Sequence, residues 1–255
     1  LIANGGVDAN EIWLVSFTRT AVHELRHRIA GFVGDSAAVA ALKIATIDAH
    51  AWAIHSGFDA KASLSGSFED NIQRVIELAR SHEGVFSYLG SVQHLVVDEA
   101  QDIVGSRCEL LLEIIHALPR SAGVSVFSDE AQSIYGFAEE GGAGALEGTL
   151  PERIQEFLGD QFKTLELTEV HRTRDPALLT VFRGGRSLIR DKGITGEAKL
   201  NAVRELVVHA NHGSIGSYWE DIKAAPPSGS ETLLLFRRRG EALSAAASMG
   251  VQPHR

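Results

Sequence analysis

The stretch HLVVDEAQDI, residues 94–103, places acidic and amide side chains directly behind a short apolar run. The apolar run ends at Val97 and is typical of a buried strand, yet Asp98 and Glu99 follow it with no turn residue between them. Carboxylates crowded at the end of a strand repel one another and raise each other's pKa unless their charge is offset. The stretch therefore predicts either a bound cation or a solvated helix N-terminus, where the helix dipole favours acidic residues.

Short apolar runs alternate with helical periodicity along the chain. Three runs are typical of buried strands: IWLVSF (12–17), HLVV (94–97) and VSVF (124–127). Apolar residues at helical spacing predict helices between them, with faces formed by Val22, Leu25, Ile29; by Ile72, Val75, Ile76, Ala79; and by Leu111, Leu112, Ile115, Leu118. This order predicts an α/β fold with a mostly parallel sheet covered by helices. Ligands bind at the carboxyl ends of such strands, which Asp98 and Asp129 follow.

Two segments rich in small residues predict boundaries. Residues 57–68, GFDAKASLSGSF, are typical of a surface insertion, and residues 138–151, AEEGGAGALEGTLP, are typical of a flexible loop or linker. Beyond that loop the pattern resumes, and a second, incomplete α/β unit is indicated by TLELTEVHRT (164–173), a helical face at Leu178, Leu179 and Phe182, ELVVHA (205–210) and TLLLF (232–236).

Composition excludes several classes of protein. The 255-residue chain has a formal net charge of −9, which argues against binding of polyanions by its whole surface but not by a local basic groove. Its one cysteine, Cys108, excludes a disulfide scaffold. No apolar stretch approaches the ~20 residues of a membrane span, so we expect no membrane partner and a cytoplasmic location.

Two motifs carry a family resemblance. VVDEAQD (96–102) is similar to motif II, and SDEAQSIYGF (128–137) is similar to motif III, of the UvrD/Rep-type superfamily 1 DNA helicases. They occur in the family's order, about 30 residues apart. Weaker resemblances cover most of the remaining chain: VSFTRTAVHELRHRI (15–29) to motif Ia, ATIDAHAW (45–52) to motif Ib, LTEVHRT (167–173) to motif IV, and residues 232–255 to the segment before the family's 2B insertion.

The resemblance implies a RecA-like fold of the P-loop NTPase type that uses ATP and Mg²⁺. Residues 1–150 would be helicase domain 1A with a short insertion near 57–90, and residues 151–255 would be the start of domain 2A. Asp98 would bind Mg²⁺ and the nucleotide, and Glu99 would be the catalytic base that activates water. Asp129 is a second expected nucleotide-binding residue.

Further roles follow from the same resemblance. Gln132 would sense the γ-phosphate, Arg172 would be an arginine finger from the second domain, and His171 would stack on the adenine. Single-stranded DNA needs aromatic platforms and donors for its phosphate oxygens. The residues expected to supply them are Phe17, Thr18, Thr46, Tyr135 and Phe137, although core packing is an equally good explanation for an aromatic residue that closes a strand.

The sequence also departs from the family pattern. No lysine follows a glycine, so the phosphate-binding loop called Walker A is expected upstream of residue 1, and motifs V and VI are expected downstream of Arg255. We therefore expect a fragment truncated at both ends that does not hydrolyse ATP alone. Motif III continues into Ala138, Glu139 and Glu140 where the family places an arginine, which weakens the case for the DNA contacts more than the case for the nucleotide chemistry.

The expected function is that of an ATP-dependent helicase or translocase on single-stranded DNA, with 3′ to 5′ polarity, in DNA repair, replication or recombination. Repair or recombination proteins would be its protein partners. A helicase–nuclease subunit of the RecB or AddA kind fits the same residues. The alternative from a different class is a degenerate, non-catalytic module that binds nucleic acid or protein. The missing Walker A and the altered motif III favour that alternative if the chain is complete. Its opponents are Asp98, Glu99, Gln132 and Arg172, because a binding module has no physical need for all four.

Overall fold

The computed structural model of the protein describes residues 6–63, 67–133, 148–171, 173–210 and 239–249. The chain divides into two compact units, Leu1–Leu167 and Thr168–Arg255. The first unit extends beyond the predicted boundary near residue 150 because helix Leu150–Leu158 contributes the buried Leu150 and Ile154 to its core. The assignment of the two units to domains 1A and 2A stays a prediction.

The first unit is built on a four-stranded parallel sheet. Its strands are β1 (Ile12–Ser16), β2 (Lys43–Thr46), β3 (His94–Val97) and β4 (Gly123–Val126), arranged in the order β2-β1-β3-β4. Strand β1 pairs with β2 on one side and with β3 on the other, so its Leu14 lies opposite both Ile44 and Val96. The predicted α/β fold with a parallel sheet is therefore confirmed.

Helices make every crossover of this sheet, as parallel pairing requires. Between β1 and β2 lie α1 (Arg19–Val33) and α2 (Ser36–Ala41); between β2 and β3 lie α3 (Ile47–Phe58), α4 (Phe68–Ser81) and α5 (Glu83–Leu89); between β3 and β4 lies α6 (Gly105–Ala117), and α7 (Leu150–Leu158) follows the sheet. A 3-10 turn, Ala100–Asp102, follows β3, and a second one, Glu130–Gln132, follows β4.

The core lies on both faces of the sheet because β1 is buried along its whole length. Alternate side chains of β1 point to opposite faces: Trp13 and Val15 join the larger hydrophobic cluster, and Ile12 and Leu14 join the smaller one. The larger cluster is completed by the predicted apolar faces of α4 and α6. Each fully buried aliphatic side chain stabilises the fold by about 1.5–3 kcal/mol relative to an exposed one.

The segment near residues 57–90, predicted as an insertion, contains two helices of the core. Ser67 begins α4 with a capping box, in which its hydroxyl accepts from the Asp70 N–H and the Asp70 carboxylate accepts from the Ser67 N–H. Ile72 and Val75 of this helix are fully buried. Helices α4 and α5 therefore help to build the core that supports β1 and β3, and the insertion stays a prediction.

The regular elements that the structure describes in the second unit are helices. Helices α8 (Pro176–Arg190) and α9 (Gly196–Ala210) pack closely, because a Cβ atom at Gly184 would lie only 2.9 Å from Cδ2 of Leu206; a further helix spans Arg239–Met249. ELVVHA, taken from the sequence as part of an α/β pattern, lies in α9, where the Leu206 side chain meets α8. A helix is compatible with an α/β unit, so the second unit stays a prediction, and TLLLF lies outside the described residues.

Candidate functional site

Asp98 follows β3 directly at the carboxyl edge of the sheet. Its backbone N–H donates to the carbonyl oxygen of Val15 in β1 at 2.8 Å, so sheet pairing fixes its position. Burial raises the pKa of the Asp98 carboxyl group above its ordinary value, and the charge of Glu99 raises it further. The Glu99 backbone N–H and the charge of Arg28 offset part of this rise in pKa. The repulsion between carboxylates that the sequence predicted is therefore present at Asp98.

Glu99 occupies an unusual backbone conformation. Its φ of 53° and ψ of 46° are left-handed, and it is the one non-glycine residue with positive φ in the described part of the chain. This conformation costs about 1–2 kcal/mol for a residue with a Cβ atom. It is held by the next residue, because the Ala100 N–H donates to the carbonyl of Phe127 after β4 at 2.9 Å. Strain of this kind clusters at functional sites, where the surrounding structure imposes it.

Gln101 connects the loop after β3 to the loop after β4. Its side chain is only 4% exposed, and its Nε2 donates to the Glu99 carboxylate. Its Oε1 accepts from the backbone N–H of Asp129 at 3.0 Å. The sequence had placed Gln101 in the acidic cluster but had given it no role. Its burial depends on the packing of two loops that are distant in sequence, which no local pattern reveals.

The loop after β4 is organised around Asp129. One carboxylate oxygen accepts from the Ala131 N–H at 3.1 Å, which caps the 3-10 turn, and the other accepts from Nε2 of Gln132 at 2.7 Å. Gln132 is exposed. The structure thus brings together the four predicted nucleotide-site residues of the first unit that it describes, Asp98, Glu99, Asp129 and Gln132.

Three predicted DNA-binding residues lie at the same edge of the sheet but have structural partners. Thr18 caps α1 by accepting from the Ala21 N–H at 3.1 Å, and Thr46 caps α3 by accepting from the Ala49 N–H at 3.2 Å. Phe17 is partly buried and packs against the larger hydrophobic cluster. These contacts explain the three residues as caps and core, so their role in DNA binding stays a prediction.

Of the remaining predicted site residues, the structure describes only His171. Tyr135, Phe137 and Arg172 lie outside the described residues. His171, in the second unit, has a side chain that is 82% exposed, and its Nε2 lies 3.5 Å from a carboxylate oxygen of Glu169. Their roles therefore rest on the sequence motifs.

The donor set at Asp98 fits a magnesium ion that keeps most of its water. Among the residues that the structure describes, no group of three or more histidine, cysteine or acidic side chains could hold a metal ion. Mg²⁺ is usually bound in such sites through one or two carboxylates together with water and substrate phosphates, so a lone carboxylate is compatible with it. A cation beside Asp98 would also lower the pKa that burial and Glu99 raise.

The geometry of this sheet edge first defines a class of protein domain. A parallel α/β sheet with Asp-Glu after one strand and Asp-x-x-Gln after its neighbour is typical of RecA-like nucleoside triphosphatase domains. The family model of the UvrD/REP helicase N-terminal domain matches residues 59–140, which contain β3, β4 and the loops after them. The resemblance predicted from motifs II and III is confirmed over this segment, about a third of the chain.

A search of curated proteins finds no match to the chain. In the parts of the chain that the structure describes, no helix is both long enough and apolar enough to cross a membrane.

Proposed function

We propose that this chain belongs to an ATP-dependent helicase or translocase that moves along single-stranded DNA. The observation that carries the proposal is the hydrogen-bonded connection, at one sheet edge, from Glu99 through Gln101 and Asp129 to Gln132. An arrangement of this kind suits a domain in which hydrolysis of a nucleotide must be communicated to a neighbouring loop. The family match over residues 59–140 supports the same reading.

In this proposal Asp98 holds Mg²⁺, which supplies charge neutralisation for the β- and γ-phosphates when bound. Glu99 accepts the proton of the attacking water, as its position next to Asp98 suits. Asp129 contributes to nucleotide binding by holding the side-chain amide of Gln132, the residue proposed to sense the γ-phosphate. His171 and Arg172 act from the second domain, on the adenine and on the phosphates respectively.

The DNA track in this proposal uses Phe17, Thr18 and Thr46 at the carboxyl edge of the sheet, together with Tyr135 and Phe137 of motif III. Movement with 3′ to 5′ polarity, a place in repair, replication or recombination, protein partners from those processes and a cytoplasmic location are all part of the proposal. They rest on the sequence resemblance.

The test is Glu99→Gln in the full-length protein that carries this chain. The variant keeps side-chain size but removes the base, so ATP turnover with single-stranded DNA is expected to fall on the order of 10³-fold, while ATP binding and DNA binding are retained. Glu83→Gln, at an exposed glutamate that begins α5, is the matched control and should hydrolyse ATP at the unchanged rate.

Near-normal hydrolysis by Glu99→Gln would contradict the assignment of the catalytic base. Binding of DNA without turnover by the unaltered full-length protein would instead support the non-catalytic binding module.

A further inference from the structure

Gln101 occupies the position through which the two loops of the candidate site are joined. We propose that Gln101 is a positioning residue that couples the predicted base Glu99 to the loop that carries Gln132, so that movement of one loop reorients the other. The inference rests on the proposed function, because it assumes that Glu99 and Gln132 act on the nucleotide. It assigns a role to a residue that the motif comparison left without one.

The orientation of the Gln101 amide is fixed by its neighbours. A carboxylate of Glu99 can only accept, and the backbone N–H of Asp129 can only donate. The reversed amide would place oxygen against oxygen at one end and two donors against each other at the other end. Because Gln101 is only 4% exposed, water would not satisfy a donor or acceptor that the reversed amide left unpaired. The amide therefore has one low-energy arrangement, and that arrangement connects both loops.

Further contacts tighten the same junction. The Ser133 hydroxyl lies 3.5 Å from the carbonyl oxygen of Gln101, and the Ala100 N–H donates to Phe127 at 2.9 Å. The loop after β4 thus contacts the turn after β3 through the Gln101 side chain and through the backbone of Ala100 and Gln101. A displacement of Asp129 or Ser133 when Gln132 meets a phosphate would be transmitted to Glu99 through these bonds.

Two substitutions separate the two ends of the amide. Gln101→Glu keeps an acceptor for the Asp129 N–H but replaces the donor to Glu99 by an oxygen, whereas Gln101→Met removes both hydrogen bonds at similar volume. Gln73→Met is the control, because Gln73 also donates to a glutamate, Glu69, but on the exposed surface of α4.

The first measurement is amide hydrogen exchange at Asp129 in the full-length protein without nucleotide. Exchange is expected to rise about tenfold in Gln101→Met, which corresponds to the loss of one hydrogen bond, and to stay close to the original rate in Gln101→Glu and Gln73→Met. An unchanged rate in Gln101→Met would overturn the connection between the loops. This readout does not depend on ATP hydrolysis.

The second measurement is steady-state ATP hydrolysis with and without single-stranded DNA. Both Gln101 variants are expected to lower kcat at least tenfold with KM for ATP within twofold, because both retain Asp98 and the hydrogen bond from its N–H to Val15. Stimulation by DNA should be lost in Gln101→Met. A kcat equal to that of the original protein in both variants would overturn the positioning role. Absence of ATP turnover in the unaltered full-length protein would overturn the proposed function instead, and it would leave the exchange result at Asp129 in force.

Discussion

His50 offers a sharp test of how the first unit is packed. It lies in α3, is buried, and stacks on Trp13 with ring centroids 4.5 Å apart. Its Nε2 lies 3.3 Å from the carbonyl oxygen of Leu14 in β1. Burial lowers the pKa of His50 from 6.5 to about 4, the Leu14 carbonyl opposes that change, and the charge of Lys43 adds to it. The folded protein therefore holds this imidazole neutral.

The size of the effect follows from the two pKa values. The unfolded chain binds the proton of His50 near pH 6.5, and the folded chain binds it only near pH 4. The contribution of neutral His50 to the free energy of unfolding is therefore fully present above pH 6.5 and is lost as the pH falls from 6.5 to 4. Below about pH 4 both states are protonated and the loss stops. The full difference corresponds to about 3 kcal/mol, of which about 2 kcal/mol is lost between pH 7.5 and pH 5.

The assay is urea unfolding of this chain at pH 7.5 and pH 5, compared with His50→Gln. Glutamine can still donate to the Leu14 carbonyl but does not titrate, so the variant should lose about 2 kcal/mol less than the original chain over this pH range. His27→Gln, at an exposed histidine of α1, is the control and should follow the original chain. Equal pH dependence of the original chain and His50→Gln would refute the reasoning that His50 is held neutral.

Two further predictions concern the edge of the sheet. Glu99→Gly should be about 1 kcal/mol more stable than Glu99→Ala in urea unfolding, because glycine adopts the φ of 53° without the Cβ penalty; a more stable alanine variant would contradict the left-handed conformation. Thr46→Ala should lower the free energy of unfolding by about 1 kcal/mol through loss of the α3 cap, and Thr46→Ser should retain it. Equal stability of the alanine and serine variants would show that the cap does not stabilise the chain.

The sequence predicted those features that depend on local pattern. Ile72 and Val75 recur at helical spacing, and both are fully buried in α4. Asp98 and Asp129 each follow an apolar run, and because β3 and β4 are parallel neighbours, both residues lie at the same edge. Thr18 and Thr46 each precede a helix, which is the ordinary signal for an N-cap, so their structural role could also have been predicted.

Features that depend on packing between distant segments were not predictable in this way. The hydrogen bond from the Asp129 N–H to Gln101 joins residues 28 positions apart, and it exists only because Val97 and Val126 are paired in register. The left-handed conformation of Glu99 has the same origin, since the N–H of the next residue, Ala100, donates to the carbonyl of Phe127 after the neighbouring strand β4. ELVVHA is helical within α9, and its Leu206 packs against Gly184 of α8, a contact that the local sequence pattern does not reveal.

The carboxylates at the sheet edge differ in how their charge is stabilised, and this difference bears on the proposed position of the cation. Asp129 accepts from the Ala131 N–H and from the Gln132 amide, and Glu99 accepts from the buried Gln101 amide. Asp98 receives only partial compensation, so burial and its neighbour Glu99 raise its pKa. A divalent cation gains most where a carboxylate is least compensated by protein donors. The proposal that Mg²⁺ binds at Asp98 agrees with this difference, while Glu99 is held by Gln101.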